Sequence, residues 1–196
     1  MYIAAKFYSM RKTLSLAMLF LLPVFNLSAQ LIRATPPVFS ENLAKITQAF
    51  RNNYYSIQGE QLPSQDDMDT YRSNVSMPGA KQALIYRFHS KVDTTASWQC
   101  LLYAGDNFRE ALKAYKNACR DVNRTKVILG DNAAATYKGK IEEPEEGLRF
   151  VSSIFILNTK DPPYEKFYAE VEIVNLNFDQ WEVHLNLQSK KDDTEK

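Results

Sequence analysis

The chain has 196 residues, 45% of them apolar, with 24 basic and 23 acidic side chains and a formal charge of +1. That length makes one ordinary domain, able to bury a core without metal or dense disulfides. The balanced charge supplies no electrostatic reason to bind nucleic acid. Two cysteines and two histidines leave no paired Cys/His spacings for zinc, and no phosphate-cradling glycine loop or serine-nucleophile elbow occurs. No cofactor and no metal are expected.

Residues 1–29 read as a secretory signal peptide. Lys6, Arg11 and Lys12 make a basic start, Leu14 to Phe25 is apolar apart from Ser15, and Leu27-Ser28-Ala29 presents small residues to a signal peptidase. The apolar run is about a dozen residues, short of the roughly 20 that cross a bilayer as a helix. Cleavage before Gln30 is therefore expected over retention as an anchor, although Met10 would also make a compact start. Removing residues 1–29 from the 196 leaves 167, with 21 basic against 23 acidic side chains, a formal charge of −2. The expected product is exported, periplasmic or secreted, with no stable membrane insertion.

Residues 30–38 contain Thr35-Pro36-Pro37 and read as an extended lead-in. Ser40 offers an N-cap, and Leu43, Ile46 and Phe50 continue an apolar stripe from Phe39, so a helix is expected over about 41–53. Tyr54 to Ile57 starts a short strand, and Leu62–Thr70 reads as a loop. Strands follow over Tyr71–Met77, Gln82–Ser90 and Ser97–Ala104, with a Pro78-Gly79 turn between the first two. A second helix opens at Asn107, which has Glu110 three residues on in a capping-box spacing. Phe108, Leu112, Tyr115, Cys119 and Val122 form its apolar face. Further strands are expected near 125–130, 135–142, 148–158, 167–177 and 180–188, before a polar tail at 189–196.

The short turns force antiparallel pairing, because a parallel return needs a long crossover. Both helical stripes must bury themselves on a sheet face. The expected fold is α+β, two helices on one face of a large antiparallel sheet, in a single domain over 39–188. Phe50, Leu84, Phe88, Leu102, Leu112, Cys119, Val127, Phe155, Val171 and Leu185 should be its core. The apolar spacing also repeats between 39–104 and 108–176, which suggests a tandem α-β-β-β-β duplication with Trp181–Leu187 as a surplus strand. Any two halves of this type would yield some such matches.

The chemical inventory is thin, and no catalytic residues are assigned. Cys100 and Cys119 either form a disulfide, worth roughly 3 kcal/mol in the chain-entropy model, or stay as two buried thiols. His89 could pair with Cys100 as a nucleophile, but nothing around Cys100 carries such a signature. Asp66, Asp67 and Asp69 lack the glycine and distal glutamate of a calcium loop. Glu142, Glu143, Glu145 and Glu146 read as an acidic hairpin tip. Asn74-Val75-Ser76 and Asn123-Arg124-Thr125 fit the N-glycosylation pattern. Tyrosines on a rigid sheet remain as binding material. Tyr71-Arg72 and Tyr137-Lys138 occupy matching places in the two halves, an aromatic-plus-cation pair suited to an extended or acidic ligand. The function expected is a non-enzymatic exported protein that binds an unknown protein or small ligand. A hydrolase and a structural envelope component are the alternatives.

Overall fold

The first helix, α1, runs from Pro37 to Phe50. It begins four residues earlier than the sequence suggests, because Pro37 occupies the first helical turn. There the missing N–H is one of the orphans anyway, and the ring presets a helical φ. Pro36 takes the N-cap position, and Ser40 sits inside the first turn with its N–H on the Pro36 carbonyl at 3.2 Å, not at the cap. This is a computed structural model that describes residues 36–63, 67–89, 94–130, 133–176 and 180–190. Residues 1–35, on which the expected signal peptide and most of the expected lead-in fall, lie outside the described residues, as do Asp66 and most of the polar tail.

The chain leaves α1 through two left-handed residues, Asn53 (φ 54°) and Tyr54 (φ 62°). Non-glycine residues adopt this conformation only when the surroundings over-determine it. Here the Asn53 side chain bonds the Thr94 carbonyl at 3.0 Å and accepts from the Ala96 N–H at 2.6 Å. The buried Tyr54 hydroxyl donates to the Leu187 carbonyl at 2.9 Å. Tyr55–Ile57 is therefore a 3-10 turn and not a strand.

Among the described residues nine strands follow in one antiparallel sheet. They are β1 (Gln58–Gln61), β2 (Met68–Ser73), β3 (Gln82–Phe88), β4 (Ser97–Gly105), β5 (Lys126–Ile128), β6 (Ala134–Lys138), β7 (Phe150–Asn158), β8 (Phe167–Asn175) and β9 (Trp181–Ser189). The second helix, α2 (Phe108–Arg124), separates β4 from β5. The order across the sheet is β1-β2-β3-β4-β9-β8-β7-β6-β5. Two meanders thus start at opposite edges, each after a helix, and meet where β4 pairs with β9. The halves share element order but not environments: Tyr71 is half-buried whereas Tyr137 is fully buried.

Local chemistry explains the punctuation. Asn107 caps α2, its Oδ1 accepting from the N–H groups of Arg109 (3.0 Å) and Glu110 (3.2 Å). Pro78-Gly79 turns β2 toward β3; Gly79 takes φ +74°, and the Ala80 N–H reaches the Met77 carbonyl at 3.1 Å. Proline followed by a positive-φ glycine is the type II arrangement. At Gly139 any Cβ would collide with the Ile154 carbonyl oxygen, so only glycine lets β6 run into the following loop.

Both helices cover one sheet face. α2 packs across β4, β6, β8 and β9, and α1 packs on β5 and on α2. Alternation along each strand sends Ile85, Trp98, Cys100, Phe155, Val171, Val183, Leu185 and Leu187 into this core. Phe50, Cys119 and Val127 join them, as expected. Leu84 and Phe88 instead point to the opposite face. Leu84 is half-buried there, and Phe88 is 39% exposed. Leu102 sits at the β4 bulge and Leu112 beside the buried helical stripe, so both are only half-buried.

Candidate binding face

The face opposite the helices is built from the alternate residues of the same strands. Directly paired residues in an antiparallel sheet point the same way, so register alone assembles it. One row across the sheet is Arg72, Leu84, Gln99, Asn186, Glu170 and Ile154. Beyond it lie Thr70, Tyr86 and Ser97 on one half of the sheet and Gln188, Tyr168, Ile156 and Lys138 on the other. On the other side lie Leu101, His184, Glu172 and Ser152, then Ala104, Glu182, Val174 and Phe150. Among the described residues no helix lies over this face.

Its two regions differ in chemistry. Along β7, Phe150, Ile154 and Ile156 are 54, 48 and 51% exposed. Three large apolar side chains share one side of a single strand, interrupted only by Ser152, unlike the scattered apolar residues of any surface. Beside them, β8 and β9 carry Glu170, Glu172, Glu182 and His184, all half-buried. His184 Nε2 lies 2.9 Å from Glu182 Oε2, and Gln188 donates to Glu170 at 3.3 Å. Tyr86 donates to Gln99 at 3.2 Å. The buried Asn186 Oδ1 and His184 Nδ1 have no hydrogen-bond partner.

The residues singled out from sequence are divided by the strands that carry them. Tyr71 and Tyr137 point toward the helices, whereas Arg72 and Lys138 point to the open face, because successive residues alternate. Tyr137 is fully buried and its hydroxyl lies 2.7 Å from Thr47 Oγ1, so no ligand can rest on its ring. Tyr71 does meet a cation, but from the neighbouring strand. Arg87 lies 5.8 Å from its ring centroid and 3.8 Å from that of Tyr55. Arg72 pairs loosely with Glu60 at 3.8 Å, and Lys138 is exposed at the edge of the Ile156 row. The aromatic-plus-cation platform expected from the sequence is therefore not assembled.

The cysteines are likewise separate. Both are free and buried. Cys119 lies beside Tyr115 and the Ser153 hydroxyl, and burial pushes its thiol up to about 11. Cys100 lies near Ser76 at 4.0 Å. Ser153 and Cys100 belong to one row on the helix side, three strands apart. At roughly 4.8 Å per strand that is about 14 Å, too far for a disulfide. His89 does not approach Cys100 either. Cys100 faces Ala83, and six further residues along the chain put His89 about 20 Å away. His89 bonds Asp69 at 3.2 Å. Asn123 and Thr125 sit at the end of α2, Asn123 half-buried and Thr125 buried.

Other concavities are shallower in meaning. A cleft of about 580 Å³ near the β7–β8 turn is lined by Lys138, Ile156, Lys160, Asp161, Tyr164 and Glu165, with charges of both signs. Among the described residues no three His, Cys, Asp or Glu side chains are grouped to hold a metal ion. No described helix is long and apolar enough to cross a membrane. No family model, curated protein or solved structure matches this chain. What is defined is its class: an α+β protein whose sheet has one face packed on helices and, among the described residues, no helix on the other.

Proposed function

We propose that this chain is an exported, non-enzymatic binding protein that engages a partner protein across the open face of its sheet. The observation that carries this reading is the row Phe150, Ile154 and Ile156, each about half exposed on a strand whose alternate residues are core. Leaving such a row in water forgoes roughly 25 cal/mol per Å² of apolar area that a partner would cover. Tyr168 and Val174, directly across from Ile156 and Phe150, extend the apolar ground. A rigid sheet loses little entropy on binding, which favours a preformed platform. The basic, apolar and small-residue order of residues 1–29 supports export.

The test is site-directed. A photo-crosslinking amino acid at Ile154 in the native host should trap a defined partner, while one at exposed Lys113 on α2 should not. The purified partner should then bind Ile154→Ser/Ile156→Ser at least ten-fold more weakly than the parent chain. Equal trapping at both positions, or unchanged affinity of the folded double variant, would place the function elsewhere.

A further inference from the structure

Beside the apolar row, the open face has too many acceptors and too few donors. Glu170, Glu172 and Glu182 fall within three same-side cross-strand pairs of β8 and β9, Glu170–Asn186, Glu172–His184 and Val174–Glu182. Among the described residues Glu182 meets His184 Nε2 at 2.9 Å, and no Lys or Arg pairs with Glu170, Glu172 or Glu182. Half-buried carboxylates gain most from a cation, since partial removal from water strengthens the attraction. Two further observations are independent of the carboxylates. Asn186, directly across from Glu170, is only 8% exposed, and its buried Oδ1 has no donor. His184, directly across from Glu172, gives Nε2 to Glu182; in the neutral ring Nδ1 is then an acceptor, also buried and without a donor. Unsatisfied buried acceptors cost about 1–3 kcal/mol each, so a ligand that supplies donors is favoured.

We infer that this floor is a pocket for a guanidinium group, an arginine side chain presented by the partner protein. The inference rests on the open face being the binding surface, and it adds the chemistry of what is read there. A guanidinium carries five N–H donors and a charge that persists at any working pH. Set over Glu172, it lies between Glu170 and the Val174–Glu182 pair, with His184 directly across and Asn186 across from Glu170. An ammonium has three donors and a stronger hydration shell, and so fits several fixed acceptors less well. Ile154, across from Glu170, places an apolar side chain beside the pocket, which suits an arginine flanked by apolar residues. The metal alternative fails because the described carboxylates and histidine do not converge on one point.

The probes are two capped octapeptides of alternating leucine with either arginine or citrulline, which keeps the shape and removes the charge. Binding to the full chain is read by isothermal titration, with amide NMR shifts locating the site. The arginine peptide should bind at least ten-fold tighter than the citrulline peptide, with shifts centred on β8 and β9. Glu172→Gln/Glu182→Gln should erase that difference, and Glu143→Gln/Glu146→Gln at the acidic hairpin should leave it intact. Two outcomes overturn the inference: equal binding of the two peptides, or loss through the hairpin variant and not the sheet variant. If both peptides still shift the β7–β9 amides equally, the open face survives as the binding surface and only the arginine pocket falls. Shifts confined to other elements defeat both.

Discussion

Tyr137 is the residue whose meaning changes most between chain and fold. Its hydroxyl donates to Thr47 Oγ1, and Thr47 donates in turn to the Leu43 carbonyl at 2.7 Å. The two partners are not equivalent. Tyr137→Phe removes one donor while Thr47 keeps its own bond to the helix, so the cost should be about 1 kcal/mol. Thr47→Val strands a buried phenolic O–H with no acceptor and should cost more, about 1–3 kcal/mol. Urea denaturation of the two variants checks the order. If Tyr137→Phe proves the more damaging, the assignment of donor and acceptor is wrong. Nothing adjacent in the sequence announces this bond, because the partners are 90 residues apart.

At the scale of elements, period and punctuation were the legible signals. Trp181–Leu187 alternates cleanly and is β9; Asn107 with Glu110 opens α2; Pro78-Gly79 turns the chain. The Asn107 cap satisfies two N–H groups at the helix start, so Asn107→Ala should lower stability by about 1 kcal/mol. The fall should show as a reduced urea midpoint with unchanged slope; an unaltered midpoint would mean that packing alone holds the first turn. The signals failed where long-range pairing overrides composition. Met68-Asp69-Thr70 is polar enough to read as loop, yet it is the start of β2 because Phe88, Arg87 and Tyr86 of β3 stand opposite. Tyr54 reads as strand and is left-handed, because its hydroxyl is held by the carbonyl of Leu187.

For the whole molecule, the core buries acids whose neutral forms it prefers. Burial raises Tyr54, Tyr115 and Tyr137 above their usual 10, and Cys119 from 9 to about 11. In the unfolded chain these groups ionise at their ordinary values, so above pH 9 the unfolded state holds fewer protons than the folded one. Stability is then complete below about pH 9 and falls as pH rises through the raised values. Each group that ionises only on unfolding adds up to about 1.4 kcal/mol per pH unit. The urea midpoint should be flat from pH 7 to 9 and drop steeply by pH 11. A flat profile to pH 11 would show that these groups are not shielded as the core packing implies.

The sequence by itself determined what depends on near neighbours: α+β class, two helices, antiparallel strands, most inward residues and several turns. Those follow from period, cap and turn chemistry within a few residues. Tertiary structure alone decided which side chains meet. Tyr71 finds Arg87 and not Arg72, Cys100 and Cys119 lie strands apart, and the open face gathers Ile154, Glu172, His184 and Asn186 from three strands. The physical reason is register. A strand shows every second residue to each side, so the chemistry of a face belongs to the pairing between strands and is not written in the order along any one of them.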